Sequence, residues 1–575
     1  MFPRCFFMAA ICFLLASCTS TDTKTVNTGE DSTGINLDSL KANIKTLASD
    51  SFLGRKPFTA GETKTIEFLQ KKFADVGLEP GNGGSYLQEV PMVNIATDPD
   101  SVMQVQSAKE NFTLKGLDDY VIWTEKTDSV ITVNNADVVF AGYGVVAPEY
   151  NWNDYAGLNV KGKVVLLLVN DPGYGVDSTL FKGDTMTYYG RWTYKFEEAA
   201  RQGAKGCLII HNTKAASYPF TVVQNNWKGS RLHLDNRGKS VPYCDFVGWT
   251  SEAAGKRLLM ASGQDTSLIA QASKPGFKPV PLNLKLSTNL HATATFNKSH
   301  NVIGKITGTT HPDEYIIYTA HWDHLGVGKP DETGDSIYNG ALDNASATAG
   351  LIELARAFKK SKPERTVVFL SVTAEEQGLW GSAYYAQNPI YPLNKTVANI
   401  NMDGLNYVGK TNDIIVVGRG QSELEDLLQQ QAEKLNRQVA FETHPEAGYY
   451  YRSDHFNFAK VGVPSLFTSS GIDVIGKGKE FGQKAEDEYT EKHYHRPSDQ
   501  FNDSWNLEGG LEDLKLFFAV GHALANEATW PGWKEGSEFK AIRDKSLGQQ
   551  PSSDSAAKRN ISSPIPTDTS KHINP

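Results

Sequence analysis

Acidic and histidine side chains stand directly after three apolar stretches of the sequence. His321 and Asp323 follow "YIIYTA", Glu375 and Glu376 follow "VVFLSVTA", and Asp403 follows "VANINM". Each stretch has the length and the apolar content of a buried strand. A carboxylate at the end of such a strand costs free energy unless a cation or a hydrogen-bond donor meets it. The pattern therefore predicts a positively charged partner for these groups.

A metal centre is the partner that this set of side chains favours. The carboxyl ends of neighbouring parallel strands meet at one crevice, so the three stretches deliver their side chains to the same rim. Asp343, in the small-residue loop "NGALDNASATAG", joins them at the start of a predicted helix. Carboxylates and histidines without a thiolate suit zinc, or a harder ion such as manganese or cobalt. Because the set exceeds what one catalytic ion uses, we expect two ions about 3.5–4 Å apart that share a carboxylate.

The elements that must position these residues alternate between strand and helix from residue 300 onward. This alternation predicts an α/β fold with a mixed, mostly parallel sheet flanked by helices. Residues 36–90 have helical periodicity, in "SLKANIKTLASD" and in "TKTIEFLQKKFADVGL", which closes on a glycine. Residues 136–290 differ, because β-rich runs such as "KGKVVLLLVND" are punctuated by glycine. We interpret them as a separate, inserted β-rich domain.

The amino terminus has the features of a bacterial export signal. An apolar run, "CFFMAAICFLLAS", precedes Cys18, and "LASC" resembles the lipobox in which the cysteine becomes the lipidated first residue. An ordinary secretory signal is the alternative. No other stretch approaches the ~18 apolar residues that a transmembrane helix needs. We therefore predict an exported protein that is lipid-anchored in the bacterial cell envelope, periplasmic or outer-membrane facing, with the membrane contacted only through the lipid.

Composition narrows the class of partner. The net charge of -9 comes without a lysine- or arginine-rich block, which argues against nucleic acid and favours peptide substrates. After Cys18 only Cys207 and Cys244 remain, so one disulfide is optional and no disulfide framework is expected. The sequence makes no prediction of oligomeric state.

An ordered set of motifs resembles a known family. The set comprises "AHWDHLG", "NGALDNASATAG", "AEEQGLWGS", "NMDGLN", "YRSDHFNFAKVGVPSL" and "YHRPSD". Together they are similar to the bacterial di-zinc aminopeptidases, co-catalytic zinc exopeptidases related to glutamate carboxypeptidase II. The resemblance covers roughly residues 300–530, and the helical opening is similar to the family's amino-terminal region. The segment 136–290 resembles the protease-associated domain that several members carry.

The resemblance implies a role for each site residue. It assigns His321 and Asp403 to one zinc ion, Glu376 and His495 to a second, and Asp343 to a bridge between both. It further implies that Glu375 is the general base, that Asp323 accepts the other ring N–H of His321, and that the Tyr494 hydroxyl donates to the oxyanion. His495 is preferred over His493 because a "YH" pair followed by Asp499 is the family arrangement. His493, His324 and His455 are expected not to be ligands, with His455 shaping the substrate pocket.

The residue patterns and the resemblance together predict a division of the chain, and the resemblance implies an activity. The predicted parts are a signal peptide (1–17), a tether (18–35), the amino-terminal part of the peptidase domain (36–135), the insert (136–290), the catalytic core (291–540) and a disordered tail (541–575). The implied activity is removal of amino-terminal residues from peptides. Three alternatives stay open. A carboxypeptidase would need a cationic pocket, for which Arg452 in "GYYYR" is the one candidate near the motifs; a glutaminyl cyclase would use a single zinc ion; a receptor-like binding module would have lost catalysis.

Overall fold

The protein is described by a computed structural model that covers residues 33–548. The predicted signal peptide with Cys18, almost all of the tether, and most of the tail lie outside the described residues. None of the helices in the described part of the chain has the length and apolar content that crossing a bilayer requires.

The chain opens with two helices, as its periodicity predicts. They are α1 (Leu37–Leu47) and α2 (Ala60–Val76), separated by a short turn at Asp50–Arg55. The Asn36 side chain caps α1 by accepting from the Ser39 amide at 2.8 Å. The second helix ends at Gly77, whose φ of 83° is the left-handed conformation expected after a helix.

A long β-rich segment follows the two helices. Its strands are β1 (Glu79–Pro80), β2 (Leu87–Pro99), β3 (Val102–Gln106), β4 (Asn111–Lys115), β5 (Tyr120–Trp123), β6 (Val130–Phe140), β7 (Val146–Ala147), β8 (Trp152–Asn153), β9 (Val164–Leu168), β10 (Gly206–Ile210), β11 (Ser230–Leu234), β12 (Phe246–Thr250) and β13 (Val280–Ile306). Its helices are α3 (Trp192–Arg201), α4 (Thr213–Ala216), α5 (Phe220–Gln224), α6 (Glu252–Ala261) and α7 (Ser267–Gln271). A hydrophobic core of its own draws residues from Met103 to Leu290.

The last part of the chain alternates strands with helices. The strands are β14 (His311–His321), β15 (Gly326–Val327), β16 (Ile337–Tyr338), β17 (Arg365–Val372), β18 (Thr396–Asn401), β19 (Asp413–Val416), β20 (Gln438–Phe441) and β21 (Ser465–Ser469). The helices are α8 (Ala347–Ser361), α9 (Trp380–Gln387), α10 (Leu424–Lys434), α11 (His455–Lys460), α12 (Lys479–Lys492), α13 (Glu508–Asn526) and α14 (Lys540–Ser546).

The sheet of this last part is mixed and mostly parallel. β14 runs parallel to β17 on one side and to β18 on the other, and β18 runs parallel to β21. β13 closes one side antiparallel to β17, and β19 pairs antiparallel with β21. Every residue of β17 and β18 is buried, as expected for parallel strands covered on both faces. The predicted fold class is confirmed.

Helices cover both faces of this sheet. One face packs with α1, α2, α8 and α13 in the largest hydrophobic core. The other face, which includes Ile317 and Val368, packs on Tyr385 of α9 and Phe458 of α11. The central strands are thereby held rigidly, which suits a site built at their ends.

Two predictions about the middle of the chain have different outcomes. Cys207 and Cys244 are both buried free thiols, so the optional disulfide is not formed. The continuous strand β13 crosses residue 290, where the sequence divides insert from core. The inserted domain and its limits stay a prediction.

Candidate metal centre

Three adjacent strand ends bring the predicted side chains together. His321 is the last residue of β14, Glu375 and Glu376 follow the end of β17 at Val372, and Asp403 follows the end of β18 at Asn401. Because β14 lies between β17 and β18, these ends are neighbours at one rim.

Asp343 lies between two histidines from distant parts of the sequence. Its Oδ1 is 3.2 Å from His321 Nε2, and its Oδ2 is 3.2 Å from His495 Nε2. The loop that carries it is held by Asp499, whose carboxylate accepts from the amides of Leu342 at 3.0 Å and Asp343 at 3.1 Å. The two oxygens of one carboxylate thus face two separate half-sites.

Glycine is required where this loop begins. Gly340 has φ of 54°, a left-handed conformation that disfavours other residues. A Cβ at this position would lie 2.2 Å from the Asp343 carbonyl oxygen and 2.5 Å from the His324 ring. The loop can therefore pass this close to the cluster only without a side chain at residue 340.

The first half-site contains His321, Asp403 and Glu375. His321 Nε2 is 3.2 Å from Asp403 Oδ1 and 4.0 Å from Glu375 Oε2. The other Asp403 oxygen accepts from the Ser453 hydroxyl at 2.7 Å, which orients the carboxylate. Burial alone would lower the pKa of His321, but Glu375 and Asp403 outweigh burial and the pKa is raised well above its usual value.

The second half-site contains Glu376 and His495. His495 Nε2 is 2.9 Å from Glu376 Oε2. Burial lowers the pKa of His495, but the close Asp343 and Glu376 carboxylates outweigh burial and raise the pKa to about 10. The pKa of Glu376 falls to about 2 although burial opposes this, because His324 and His495 favour the charged carboxylate.

His324 lies inside this cluster, which its predicted exclusion from the ligand set did not anticipate. It is fully buried, and its Nδ1 is 2.5 Å from Glu376 Oε1. Its Nε2 is buried without a hydrogen-bond partner. The contact orients Glu376, and the signal for it in the sequence is the short spacing between His321 and His324 in "HWDH".

The geometry fits metal ions. His321 with Glu375 and Asp403, and His324 with Asp343 and Glu376, each present ligand-type atoms that lie within 4.8 Å of one another. His495 Nε2 is buried and makes no hydrogen bond of acceptable angle, despite having two carboxylate oxygens within 3.2 Å. These atoms are close enough together to share a cation. Imidazole and carboxylate donors without a thiolate suit zinc.

Asp323 contacts the site in a different way from the predicted one. The Nδ1 of His321 faces the main-chain oxygen of Asp323 at 3.1 Å, while the carboxylate oxygen is 3.8 Å away. The Asp323 carboxylate instead accepts from the Glu375 amide at 3.0 Å. The Asp323 carboxylate therefore positions the segment that carries Glu375. The His321 ring does not need this carboxylate, because its Nδ1 already faces the Asp323 backbone carbonyl.

Glu375 is placed beside the half-sites without a close histidine contact. Its backbone follows Ala374, whose φ of 54° turns the chain sharply after β17. Burial raises the pKa of Glu375 well above its usual value, and the neighbouring Asp403 and Glu376 carboxylates raise it further. A carboxyl group with a raised pKa is suited to accept a proton and to donate it again.

Tyr494, His493 and His455 differ in their position relative to the cluster. Tyr494 is 45% exposed and its ring stacks on His495 at 3.8 Å between centroids. His493 points away from the cluster, with its Nδ1 3.0 Å from the Ser498 hydroxyl. His455 is buried between the rings of Tyr450 and Phe467 and does not line an open pocket.

Arg55, which the sequence did not single out, holds the backbone segments next to the site. Arg55 is 1% exposed and donates from Nε to Trp322 O at 2.9 Å and from Nη2 to Gly340 O at 2.8 Å. Its Nη1 donates to the carbonyls of Leu47 at 2.9 Å and Asn339 at 2.5 Å. It thereby ties the strand end next to His321 to the loop that leads to Asp343. No local pattern reveals this role, because the contacts span some 270 residues of sequence.

A family comparison covers the part of the chain that carries the cluster. Residues 301–516 match the family described as Peptidase family M28. The match includes all five predicted ligands and excludes Arg55.

Two curated relatives and one solved structure illustrate what the chain resembles. A glutamate carboxypeptidase 2 homolog of Caenorhabditis elegans is 26% identical over 431 residues, which are 63% of this chain and 52% of the relative. Aminopeptidase NAALADL1 of Mus musculus is 35% identical over 139 residues, 22% of this chain and 17% of the relative. BSAP, a zinc aminopeptidase from Bacillus subtilis, has 20% sequence identity and a TM-score of 0.41, with 86% of this chain and 96% of that chain covered. The chain spans about half the length of the first curated relatives it matches.

Proposed function

We propose that the protein is a metallo-exopeptidase that removes amino-terminal residues from peptides with two zinc ions, and the match of residues 301–516 to Peptidase family M28 supports this. The observation that carries the proposal is the position of Asp343, whose two oxygens each face a histidine of a different half-site. His321 and Asp403 would hold one ion and His495 and Glu376 the other. A single ion would leave one half-site as an unpaired group of buried charges.

Zinc held by these residues would supply the Lewis acidity that activates a water molecule and polarises a carbonyl group. Glu375 acts as the proton acceptor through its carboxylate, which lies within 4.0 Å of His321. The same carboxyl then returns the proton to the leaving amine, which its raised pKa favours. Asp323 holds the amide of Glu375, so the base keeps its orientation through both transfers.

Tyr494 is proposed to stabilise developing negative charge on the scissile carbonyl. Its ring lies against His495, a residue of the second half-site. The residue is 45% exposed, so a substrate can approach it from solvent. A hydrogen bond made only in the transition state accelerates the chemical step.

The carboxylates of the first half-site favour binding of the positively charged amino end of a peptide. Glu375 and Asp403 border the first half-site, where a free amine finds negative charge. Blocking the amine with an acetyl group removes its charge, which can cost a factor of ~10⁴ where a site is built to bind that group. The test is therefore hydrolysis of an unblocked aminoacyl arylamide against its N-acetylated form, combined with metal analysis of the purified protein. Two zinc equivalents and a strong preference for the free amine support the proposal.

A carboxypeptidase is the second candidate, and one observation favours it. Arg452 lies one residue from Ser453, which contacts Asp403, and its Nε is buried without a hydrogen-bond partner. A carboxypeptidase would cleave an N-acetylated dipeptide with a free C-terminal carboxylate, which an aminopeptidase spares, so adding this substrate to the panel separates the two activities. One metal equivalent would favour a glutaminyl cyclase, and two equivalents without turnover would favour a binding module.

We propose in addition that the protein is exported and lipid-anchored through Cys18, and that residues 136–290 form a protease-associated-like insert. The lipid anchor is supported by the "LASC" site and by the polar segment that follows it. A fatty-acid label that is equal in wild type and Cys18→Ala would refute the anchor.

A further inference from the structure

Residues 373–381 carry both Glu375 and Glu376 in a bent segment between the end of β17 and the first turn of α9. Ala374 and Leu379 have φ of 54° and 61°, left-handed conformations that are unfavourable for residues with a side chain. Such conformations persist only where the surrounding structure holds them. The segment therefore needs contacts outside itself to keep the two glutamates in place.

The two ends of this segment meet at the side chain of Asn301. Asn301 belongs to β13, which runs antiparallel to β17, and it is fully buried. Its Oδ1 accepts from the Thr373 amide at 3.1 Å, and its Nδ2 donates to Gly381 O at 3.0 Å. The Gly381 amide in turn donates to Thr373 O at 2.9 Å. The Asn301 amide group thus satisfies one backbone donor and one backbone acceptor at opposite ends of the bend.

Asn301 has little freedom to move away from this position. A Cβ added at Gly381 would lie 2.3 Å from Thr373 O and 2.5 Å from Asn301 Oδ1, so the contact is tight. The Asn301 Nδ2 also donates to Gln88 Oε1 at 3.0 Å, and the Gln88 Nε2 donates to Asn388 O at 2.9 Å. Because Asn388 directly follows α9, these two side chains hold both ends of that helix.

A second contact holds Thr373 through its side chain. The hydroxyls of Thr373 and Ser299 lie 2.7 Å apart, and the Ser299 hydroxyl donates to Glu62 Oε1 at 2.8 Å. Because Ser299 has a single hydroxyl proton, the Thr373 hydroxyl is the donor to Ser299. All three side chains are buried. Glu62 belongs to α2 and its other oxygen accepts from the Phe58 amide, so this chain of hydrogen bonds ends on a helix.

We propose that Asn301 is a positioning residue that holds residues 373–381 in the conformation that places Glu375 beside the first half-site and Glu376 in the second. Ser299 is the second support of the same segment. The inference rests on the proposed function, in which Glu375 is the base. Asn301 contacts backbone atoms of the segment, so it acts through the position of the two glutamates and not on the substrate. A small displacement of a catalytic group can cost ~10²-fold in rate.

Kinetics of the variant Asn301→Ala test the effect on the reaction. At saturating zinc, kcat on an aminoacyl arylamide should fall ~10–100-fold, the usual effect of removing a group that orients site residues. KM should change little, because a displaced base weakens the transition state and leaves substrate binding as it was. Ser299→Ala removes only a hydroxyl and should lower kcat in the same way, so it tests the inference even if Asn301→Ala does not fold. Circular dichroism and a thermal melt show whether each variant is folded.

Asn526→Ala is the matched control. The Asn526 side chain also joins two backbone groups, because it accepts from the Glu364 amide at 3.3 Å and donates to His522 O at 2.7 Å. Glu364 precedes β17, so this contact lies at the end of the strand opposite to residues 373–381. The control should keep the wild-type kcat. An equal fall in kcat in Asn301→Ala and Asn526→Ala, or no fall in Asn301→Ala and Ser299→Ala, would overturn the inference.

Hydrogen exchange of the zinc-free protein separates this inference from the proposed function. In Asn301→Ala, peptides that cover residues 373–381 should exchange up to ~10-fold faster than in wild type, the effect of losing a hydrogen bond that keeps the segment closed. Peptides from β19 and β21 should keep their wild-type rates, and Asn526→Ala should leave residues 373–381 unchanged. Faster exchange confined to this segment supports the positioning role even if wild type hydrolyses no peptide. Unchanged exchange there refutes the role even if wild type is an active aminopeptidase.

Discussion

Replacing Arg55 with methionine should loosen the metal centre from a position that contacts none of its ligands. The guanidinium donates to four main-chain carbonyls, of Leu47, Trp322, Asn339 and Gly340. Trp322 follows His321, and Gly340 opens the loop that carries Asp343. Methionine has similar length and no donor, so Arg55→Met leaves all four carbonyls without this partner.

The magnitude follows from the contacts. A buried acceptor left without a donor costs about 1–3 kcal/mol, so four acceptors cost ~4–12 kcal/mol. Part of this loss is offset, because the variant no longer buries a cation. Burial lowers the pKa of Arg55 from its usual value to about 10, which corresponds to about 3 kcal/mol. The net loss of folding free energy is then on the order of 5 kcal/mol, and metal affinity should fall ~10–100-fold, as for other groups that orient ligands.

Metal retention is the sharper of the two measurements. The protein has more than one hydrophobic core, so its unfolding is not expected to be two-state. Wild type and variant are equilibrated with a graded series of zinc buffers below the melting temperature, and bound zinc is counted. Arg55→Met should need ~10–100-fold more free zinc for half-occupancy.

Arg543→Met is the matched control for this experiment. Arg543 is 3% exposed and donates to the carbonyls of Leu393 at 3.0 Å and Thr396 at 2.8 Å, away from the cluster. This variant should also melt earlier but keep the zinc affinity of wild type. Equal zinc affinity in Arg55→Met and Arg543→Met would refute the reasoning, because loss of stability alone would then explain every effect.

Three further predictions concern the base, the histidines and the pH dependence of stability. Glu375→Gln should keep the fold and both ions but lose ~10²–10⁴ in turnover, and near wild-type turnover would dismiss Glu375 as the base. His495→Ala should purify with less zinc than His493→Ala, whose side chain bonds Ser498; the reverse order would show that the wrong histidine is assigned. His233 is 7% exposed, its Nε2 has no partner, and burial lowers its pKa from 6.5 to about 3. Because the unfolded chain binds this proton below pH 6.5 and the folded chain does not, stability should be complete above pH 6.5 and fall by up to ~1.4 kcal/mol per pH unit between pH 6.5 and 3. Melting temperatures of wild type, His233→Gln and the exposed His291→Gln across this range test it: only His233→Gln should show a smaller acid loss.

The sequence by itself determined the parts of this protein that depend on local patterns. Apolar runs of strand length predicted β14, β17 and β18, and the residues directly after them predicted which side chains share a rim. This succeeded because parallel strands pointing the same way must end at the same edge. The glycine at residue 77 likewise marked the end of α2, because a left-handed residue after a helix is a property of the backbone itself.

Only the tertiary structure decided what depends on segments distant in sequence. His324 orients Glu376, and the Asp323 carboxylate accepts from the Glu375 amide, because neighbouring strands set those distances. Arg55 bonds the carbonyls of Trp322, Asn339 and Gly340, which lie 267 to 285 residues away in the sequence. No local spacing encodes such contacts, since they form when separate elements pack and the buried charges and donors among them must be satisfied together.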